Sequence, residues 1–135
     1  MTQEQKNLLM RDLCARLPYR VKFKFKYSEL SSEIMRAIFL ENYVIISSKD
    51  NSCEINDIKP YLFPLSSMTE EQRAEYESLC IKETSEYSDL YGIIFAKDHY
   101  YDTVESIDYL YKNHIDVRGL IPLGLAIDCT NLNIY

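Results

Sequence analysis

The stretch that decides the fold is Lys-Pro-Tyr-Leu-Phe-Pro-Leu-Ser-Ser-Met-Thr-Glu-Glu-Gln, residues 59 to 72. Its first half is an apolar run framed by Pro60 and Pro64, which favour an extended, irregular backbone. Its second half begins a helix, because Thr69 and Gln72 match a capping box. The run is too apolar for a free linker, so we expect it to lie across the core.

Upstream of this stretch, the pattern predicts one helix followed by short strands. Thr2 and Gln5 match another capping box, and an apolar stripe at helical spacing ends before Pro18, which predicts a helix over 3–16. Apolar residues and lysines then alternate over 21–27, as is typical of a half-buried strand. Three further strands are expected over 33–40, 43–47 and 53–58.

Downstream, helical patterns predominate. The helix that begins after Thr69 is expected to run to about residue 83, and a further helix is expected over 102–113. Between them, 84–89 is polar and predicted to be a loop, whereas 90–96 is apolar and predicted to be a strand or a buried extended segment. In the C-terminal tail, one short helix is expected after Pro122.

These elements together predict an α+β fold. We expect an N-terminal helix, a small antiparallel sheet or partial SH3-like or Sm-like barrel of about four strands, and two to three helices packed on it. The length fits a single domain over residues 1–135. Its expected parts are a helix-plus-sheet part (1–58), a connecting strap (59–68) and an acidic, mainly helical part (69–135).

Composition indicates a cytoplasmic protein with no cofactor. No apolar run reaches the ~18 residues typical of a membrane span, and the N-terminus has no signal-peptide core. Glycine-rich phosphate loops and the G-x-S-x-G and H-E-x-x-H motifs are absent. Cys14, Cys53, Cys80 and Cys129 lack zinc-ligand spacing, and Cys14 and Cys80 fall on apolar stripes, where we expect small buried side chains.

Charge is distributed unevenly along the chain, whose net charge is −6. Residues 1–60 hold 10 Lys/Arg against 8 Asp/Glu, whereas residues 61–135 hold 5 against 13 and nine of the twelve tyrosines. Such an acidic, tyrosine-rich part repels nucleic-acid backbones and suits a basic protein partner. The alternative is that the acidity only keeps the chain soluble.

Three segments carry a family resemblance. They are Asp-Leu-Cys-Ala-Arg-Leu-Pro-Tyr (12–19), Lys-Pro-Tyr-Leu-Phe-Pro-Leu-Ser-Ser-Met-Thr-Glu-Glu (59–71) and Arg-Gly-Leu-Ile-Pro-Leu-Gly-Leu-Ala (118–126). With them the chain resembles a family of short uncharacterised proteins of Bacteroides-type gut bacteria, their prophages and related phages. The resemblance implies a phage or mobile-element accessory protein made inside a bacterial cell, and it implies no functional residues.

We therefore expect a non-enzymatic accessory protein that binds another protein, with inhibition of a host factor as one form of this role. The candidate contact residues lie on the acidic face of the second helix, where Glu70, Glu71 and Glu75 accompany Tyr76. The alternative for this face is an ordinary solvated helix surface.

A second candidate cluster consists of His114, Asp116 and Arg118. A histidine and a carboxylate two residues apart can transfer a proton, and an arginine can hold an anion, so a small enzyme centred on His114 and Asp116 is one alternative function. The other interpretation is structural: His114 caps the C-terminal end of the third helix as a cation, and Arg118 pairs with Asp116 or an acidic helix.

A third candidate set is basic. Arg20, Lys22, Lys24 and Lys26 could contact phosphates from one face of the first strand, which makes a nucleic-acid or nucleotide binding module the other alternative function. Lysines also protect exposed edge strands from pairing, which is the structural interpretation.

A looser set comprises Asp98, His99 and Asp102, whose side-chain types can hold a divalent metal. Asp102 is also well placed as the N-cap of the third helix, and we favour that role. We predict no metal site.

Overall fold

The structure, a computed structural model, describes residues 1–27, 31–33, 36–40, 43–47 and 52–135, with side chains described for 1–27 and 53–135. The chain forms two compact units. The first unit comprises Met1–Ser67 and Tyr111–Tyr135, and the second comprises Met68–Leu110. Both contain helices and strands, which confirms the α+β class. The predicted three-part division did not include the return of the C-terminal residues to the first unit.

The described part of the chain contains three helices and nine strands. The helices are α1 (Gln3–Arg16), α2 (Glu70–Leu79) and α3 (Val104–Lys112). The strands are β1 (Lys22–Phe25), β2 (Ser31–Glu33), β3 (Arg36–Leu40), β4 (Tyr43–Ser47), β5 (Ser52–Glu54), β6 (Ile58–Leu62), β7 (Ile81–Ser88), β8 (Ile94–Tyr101) and β9 (Ile127–Asp128).

Helix α1 matches its prediction at both ends. The Gln5 amide donates to Thr2 Oγ1 at 3.1 Å and the Thr2 amide donates to Gln5 Oε1 at 2.9 Å, which completes the capping box. Leu9 and Leu13 on its inner face are buried. At 14 residues it is the longest helix described, and no helix in the described residues is both long and apolar enough to cross a membrane.

A four-stranded sheet in the order β2-β1-β6-β9 forms the centre of the first unit. Strand β1 is antiparallel to both of its neighbours, and the short strand β9 runs parallel to β6. Strands β1 and β6 are therefore the two central strands. The core of this unit draws on α1, on β1 and the residue before it, on the 3-10 turn Ile55–Asp57, on β6 and on the C-terminal tail. Its buried members are Leu9, Leu13, Val21, Phe23, Ile55, Ile58, Leu62, Leu120, Leu125 and Ala126.

The segment predicted to be extended and to lie across the core does so over its first half, but as a regular strand rather than as an irregular connecting strap. Residues 59–62 belong to the central strand β6, and Tyr61 and Leu62 are buried. Pro60 lies opposite Phe23 of β1, and pairing with β9 begins only at the next residue, Tyr61. Proline has no amide to donate to a neighbouring strand, and it is tolerated at position 60 because β9 does not pair with that residue. Irregular structure begins later, with the 3-10 turn Leu65–Ser67.

The remaining strands of the first half form a separate antiparallel sheet, β3-β4-β5. The strand predicted over 43–47 is confirmed as β4. The strand predicted over 33–40 corresponds to the end of β2 and to β3, with 34–35 outside the described residues. The strand predicted over 53–58 divides into β5, the 3-10 turn Ile55–Asp57 and the start of β6.

The C-terminal tail contains no helix after Pro122, contrary to prediction. Instead the Gly124 amide donates to the Ile121 carbonyl at 3.0 Å and the Leu125 amide donates to the Leu120 carbonyl at 2.9 Å. Gly124 has a φ of 73°, which closes the chain on itself before a helical turn can form. Leu120 and Leu125 enter the core of the first unit as a result.

The second unit differs most from its prediction. Helix α2 begins after Thr69 as expected, but it ends at Leu79 rather than near residue 83. Residues 81–101 form a hairpin of β7 and β8, so the predicted loop over 84–89 is wrong and the predicted strand over 90–96 lies out of place. The expectation of a mainly helical acidic part fails here, because these residues form two strands. Nearly every hairpin residue is exposed and neither strand shows apolar alternation, so the sequence pattern did not indicate them.

Candidate protein-binding surface

The hairpin of the second unit pairs, among the described residues, only with itself. Strands β7 and β8 form eight cross-strand pairs in register, beginning with Ile81 opposite Tyr101 at the base. Every residue of both strands is exposed except His99, which is half-buried. A two-stranded hairpin is only marginally stable in water. Contacts within the hairpin are therefore needed to hold its geometry.

Three cross-strand contacts supply this support. Thr84 Oγ1 donates to Asp98 Oδ1 at 2.7 Å, and Lys82 Nζ lies 3.3 Å from Asp98 Oδ2. The hydrogen bond from Thr84, with the nearby Lys82 ammonium, lowers the pKa of Asp98. On the opposite face the rings of Tyr87 and Phe95 stack with centroids 5.4 Å apart.

The turn of the hairpin is built by four hydrogen bonds. The Asp89 amide donates to the Ile93 carbonyl at 3.0 Å, and the Gly92 amide donates to the Asp89 carbonyl at 3.2 Å. The Asp89 carboxylate oxygen Oδ1 also accepts from the amides of Tyr91 (2.8 Å) and Ile93 (2.9 Å). Gly92 has a φ of 78°, as a three-residue hairpin loop requires. These four bonds hold the backbone of the turn together.

This turn presents apolar side chains to solvent. Leu90 is fully exposed and Tyr91 is 89% exposed, with Ile93 and Ile94 both more than half exposed. We call the following set the hairpin tip: Tyr87, Leu90, Tyr91, Ile93, Ile94 and Phe95. Tyr87 and Phe95 share one face of the hairpin, and Ile94 alternates to the other face. Single apolar side chains on a surface are ordinary, whereas several exposed together at one turn favour an interaction site.

Substitution of Gly92 by alanine should destabilise the hairpin by about 1–2 kcal/mol, because the positive φ is unfavourable for a residue with a Cβ. The added Cβ meets no atom within 4 Å, so the backbone conformation alone causes the loss. Amide hydrogen exchange of β7 and β8 should accelerate accordingly. Gly124→Ala, with a φ of 73° in the first unit, is the matched control and should leave these amides unchanged. Equal exchange in Gly92→Ala and the wild type would contradict a rigid turn.

Two tyrosine–carboxylate pairs connect α2 to the segment that includes α3. The Tyr76 hydroxyl donates to the Asp102 carboxylate, and the Tyr109 hydroxyl donates to Glu75 Oε2 at 2.9 Å. Burial, with the bonded carboxylate, raises the pKa of both phenols, that of Tyr109 to about 12. Both hydroxyls therefore stay protonated as donors, and the pairs fix the two helices that flank the hairpin.

These contacts change the interpretation of the predicted acidic face. Glu75 and Tyr76 bond within the second unit and support its structure. Glu70 and Glu71 lie exposed in the first turn of α2, where the helix dipole favours carboxylates. Two of the four predicted contact residues thus remain available to a partner, while the other two act as internal ties.

The acidity of the chain is concentrated in the second unit. Residues 68–110 contain 11 Asp/Glu and 3 Lys/Arg, a formal net charge of −8, whereas the whole chain carries −6. The rest of the chain is therefore slightly basic. The hairpin tip thus belongs to a strongly acidic unit, which favours a basic partner surface and disfavours anionic ones.

His114 follows α3 and supports the fold through its backbone and its ring. It adopts a φ of 60°, its amide donates to the Tyr111 carbonyl at 3.0 Å, and its carbonyl accepts from the Phe63 amide at 2.9 Å. Its ring stacks on that of Tyr135 with centroids 3.8 Å apart. These contacts place His114 at a junction between β6, α3 and the chain terminus.

The imidazole of His114 is neutral at pH 7. Burial, with the positive charges of Arg16 and Lys22, lowers its pKa to about 4. The predicted cationic cap of α3 is therefore wrong, because the ring does not carry a proton where the helix dipole would favour one. The positive φ at this position directs the chain away from the helix axis instead.

Acidification should expose the lowered pKa of His114 as a loss of stability. The folded ring binds a proton less tightly than the unfolded one, whose pKa is near 6.5, so the loss begins as pH falls through 6.5 and is complete below about 4. Between pH 7 and pH 5 the wild type should lose more unfolding free energy than His114→Asn, which tolerates a positive φ. Urea titrations at each pH measure the difference, and parallel losses would show that His114 does not titrate in this range.

Asp116 is buried and bonded to the backbone of the tail. Its Oδ1 accepts from the Leu120 amide at 2.8 Å and its Oδ2 accepts from the Ile121 amide at 2.9 Å. Its own amide donates to the Phe63 carbonyl at 2.8 Å. Both carboxylate oxygens are thereby used to hold the turn that returns Leu120 to the core.

Arg118 pairs with Asp12 of α1, whereas Asp116 or an acidic helix was the predicted partner. Its Nε lies 3.9 Å from Asp12 Oδ1, and about a third of its side chain is exposed. His114, Asp116 and Arg118 thus contact Tyr135, the tail backbone and α1 respectively. The contacts of these three side chains fit structural roles better than a shared reaction site.

A buried ion pair that the sequence did not reveal lies beside them. Asp12 and Arg16 of α1 are fully buried, with Arg16 Nε 2.6 Å from Asp12 Oδ2 and Nη2 3.1 Å from Oδ1. Arg16 Nη2 also donates to the Ile115 carbonyl at 2.6 Å, and the guanidinium lies 4.8 Å from the ring centre of Tyr111. This pair fastens the residues after α3 to α1.

The basic set is only partly available for binding. Arg20 is exposed and directly follows the 3-10 turn Leu17–Tyr19, with a φ of 54°. Lys22 is occupied, because its Nζ donates to the Ile134 carbonyl at 2.8 Å. Lys24 and Lys26 line an open cleft. Since β1 is a central strand, the alternative that these lysines protect a sheet edge is wrong.

Asp98, His99 and Asp102 do not converge on a metal. Asp98 is held by Thr84, and Asp102 accepts from Tyr76. No group of three or more His, Cys, Asp or Glu in the described part of the chain is arranged to hold a metal ion. The predicted N-cap of α3 is also displaced by one residue, because Thr103 Oγ1 accepts from the Ser106 amide at 3.1 Å.

All four cysteines are reduced thiols rather than halves of disulfides. Cys129 is buried, and burial raises its pKa to about 11. Cys14 and Cys80, predicted to be buried, are half-buried instead. Burial also raises the pKa of Cys14 and Cys53, so these two and Cys129 differ from the low-pKa, accessible thiol that a nucleophile requires.

Comparison with known proteins adds no relative. No family model, curated protein or solved structure matches this chain.

Proposed function

We propose that this protein acts by binding another protein, without catalysing a reaction, through the hairpin tip. The observation that carries the proposal is the exposure of Leu90 and Tyr91 on a turn held by the Asp89 carboxylate and by Gly92. The turn resembles a pre-formed anchor more than a solvated loop, because its most exposed side chains are apolar.

Pre-organisation strengthens the argument. Binding costs conformational entropy for each side chain and loop that becomes ordered, and a turn already held by four hydrogen bonds avoids most of that cost. Tyrosine offers large contact area with few rotatable bonds and is enriched among residues that dominate interfaces. Tyr91 and Leu90 are therefore the expected energetic centre of the contact.

The negative charge of the second unit indicates the kind of surface that its partner presents. The second unit carries a formal net charge of −8, so the complementary surface is an apolar pocket with a basic rim. Exposed Glu70 and Glu71 contribute to the attraction that guides the encounter. Membrane surfaces and nucleic acids are poor alternatives for this unit, since both are negatively charged.

The setting of this proposal rests on the resemblance of residues 12–19, 59–71 and 118–126 to phage and prophage proteins of Bacteroides-type bacteria. In that setting the protein is a phage or mobile-element accessory protein that acts in the cytoplasm of its host. Inhibition of a host factor is one result that such binding would produce.

Substitution of both Leu90 and Tyr91 by aspartate should abolish partner binding, with a loss of at least about 30-fold in affinity, since anchors of this kind contribute 2 kcal/mol or more. The first step is photo-crosslinking in lysate of a Bacteroides-type host, with p-benzoylphenylalanine at position 93. The captured protein is then purified and titrated calorimetrically against the wild type and the variant. Affinity should fall as salt is raised.

The matched control is Leu123→Asp/Leu132→Asp, which places the same charges at two exposed leucines of the first unit. It should bind the purified partner as the wild type does. Equal affinity of the tip variant and the wild type for every captured protein would overturn the proposal, as would the absence of any captured protein that binds when purified. Circular dichroism of each variant verifies that it remains folded.

A further inference from the structure

A cleft of about 460 Å³ opens on the first unit, and its cationic residues are lysines. Lys24 and Lys26 contribute from β1 and the residue after it, and Lys59 contributes from β6. The full lining consists of Lys24, Lys26, Asn56, Asp57, Ile58, Lys59 and Ile127. Three ammonium groups against one carboxylate leave this lining with a net positive charge.

Two of the lysines are placed against each other by the sheet itself. Lys24 lies directly opposite Lys59 in the antiparallel register of β1 and β6. Side chains in this relation are within about 5.5 Å at Cβ, and like charges there are destabilising. Edge protection does not account for them, because β1 and β6 are the two central strands. An anion held between the two ammonium groups would remove the repulsion.

The lining is not purely polar. Half-buried Ile127 and the aliphatic stems of the lysines contribute apolar surface, and Asn56 supplies an amide that can donate and accept hydrogen bonds. A free inorganic anion would leave the apolar part unused. The complementary ligand therefore combines an anionic group with an apolar or planar portion.

We propose that this cleft binds a small phosphorylated molecule of the nucleoside monophosphate kind, with its phosphate between Lys24 and Lys59. The volume suits a ligand of that size. A polynucleotide fits less well, because Lys22, the next lysine along β1, already donates to the Ile134 carbonyl and does not extend the cationic contacts beyond the cleft. The site lies in the first unit and is independent of the hairpin tip.

Calorimetric titration of the full chain with AMP at about 20 mM salt tests this site, where screening is weak. AMP should bind. Inorganic phosphate and adenosine should each bind more weakly than AMP, because phosphate lacks the nucleoside and adenosine lacks the anionic group that contacts the lysines. Lys24→Met/Lys59→Met should weaken AMP binding at least about tenfold, the effect of losing roughly 1.4 kcal/mol. The matched control, Lys6→Met/Lys112→Met, removes the same charge elsewhere on the chain and should bind AMP as the wild type does.

Three outcomes would overturn the proposal. These are no heat of binding with millimolar AMP, equal AMP affinity in the two double variants, and binding of a single-stranded oligonucleotide in place of AMP. The last outcome would assign the lysines to a nucleic-acid surface. If Lys24→Met/Lys59→Met is less stable than wild type, Lys24→Gln alone provides the comparison, with Lys112→Gln as its control. Urea titration of these variants without ligand should also show that removal of the Lys24–Lys59 repulsion does not destabilise the fold.

Discussion

Replacement of Arg16 by methionine should lower the free energy of unfolding by about 3–5 kcal/mol. Methionine leaves the Asp12 carboxylate fully buried without its bidentate partner, and the Ile115 carbonyl loses its donor. Arg118, at 3.9 Å and partly exposed, replaces only a fraction of that interaction. Urea titration followed by circular dichroism measures the loss.

Two further variants serve as controls for the loss of stability in Arg16→Met. Arg11→Met removes an exposed arginine from the same helix and should change stability by no more than about 0.5 kcal/mol. The double variant Asp12→Leu/Arg16→Met should recover most of the loss, because a buried ion pair replaced by apolar side chains is often as stable as the pair. Burial raises the pKa of Asp12 despite the opposing contacts of Arg16, as expected where desolvation opposes the charged form. If Arg16→Met matched Arg11→Met, the pair would not hold α1 to the residues after α3.

Substitution of Asp116 by alanine is the second large effect, with an expected loss of about 2–4 kcal/mol. The side chain satisfies the amides of Leu120 and Ile121, and both would remain in a largely buried turn without an acceptor. Leu120 belongs to the core, so relaxation of the turn would also disturb apolar packing. Thermal and urea unfolding should both register the change.

Conservative and matched variants separate this role from others. Asp116→Asn keeps one acceptor oxygen and should lose roughly half as much stability. Asp128→Ala removes an exposed carboxylate that accepts from the Thr130 amide at 3.0 Å, and its effect should be much smaller. A small loss in Asp116→Ala would contradict the structural role and return Asp116 to consideration as a reactive carboxylate.

The elements that were predicted well depend on short-range signals. Helix α1 and the start of α2 follow from capping boxes in which the partners are three residues apart. Strand β4 follows from its apolar β-branched composition. Such signals act within one turn or one strand, so the sequence alone carries them.

The hairpin was missed because its stabilisation is cross-strand. Strands β7 and β8 are exposed on both faces, so neither has the alternation that reveals a half-buried strand. One local signal was present: Asp89 and Gly92 are spaced for a three-residue hairpin loop between two segments of compatible length. With that signal, the apolar residues of the tip would have been recognised as exposed rather than as a buried strand.

The candidate residues show the same division. Histidine, carboxylate and arginine at 114, 116 and 118 suggested chemistry by proximity in sequence, but their partners come from distant parts of the chain. Conversely, Lys24 and Lys59 lie 35 positions apart and became a candidate site only through the register of β1 and β6.

The sequence by itself determined the α+β class, the capped helices and the acidic character of the later residues, because propensity, capping and charge are properties of neighbouring residues. Only the tertiary structure decided that residues 59–62 are a central strand, that the tail returns to the first unit, and that an apolar tip stands exposed within the acidic unit. Each of these depends on which distant backbone groups pair and which side chains become buried, and both depend on residues that are far apart in the sequence.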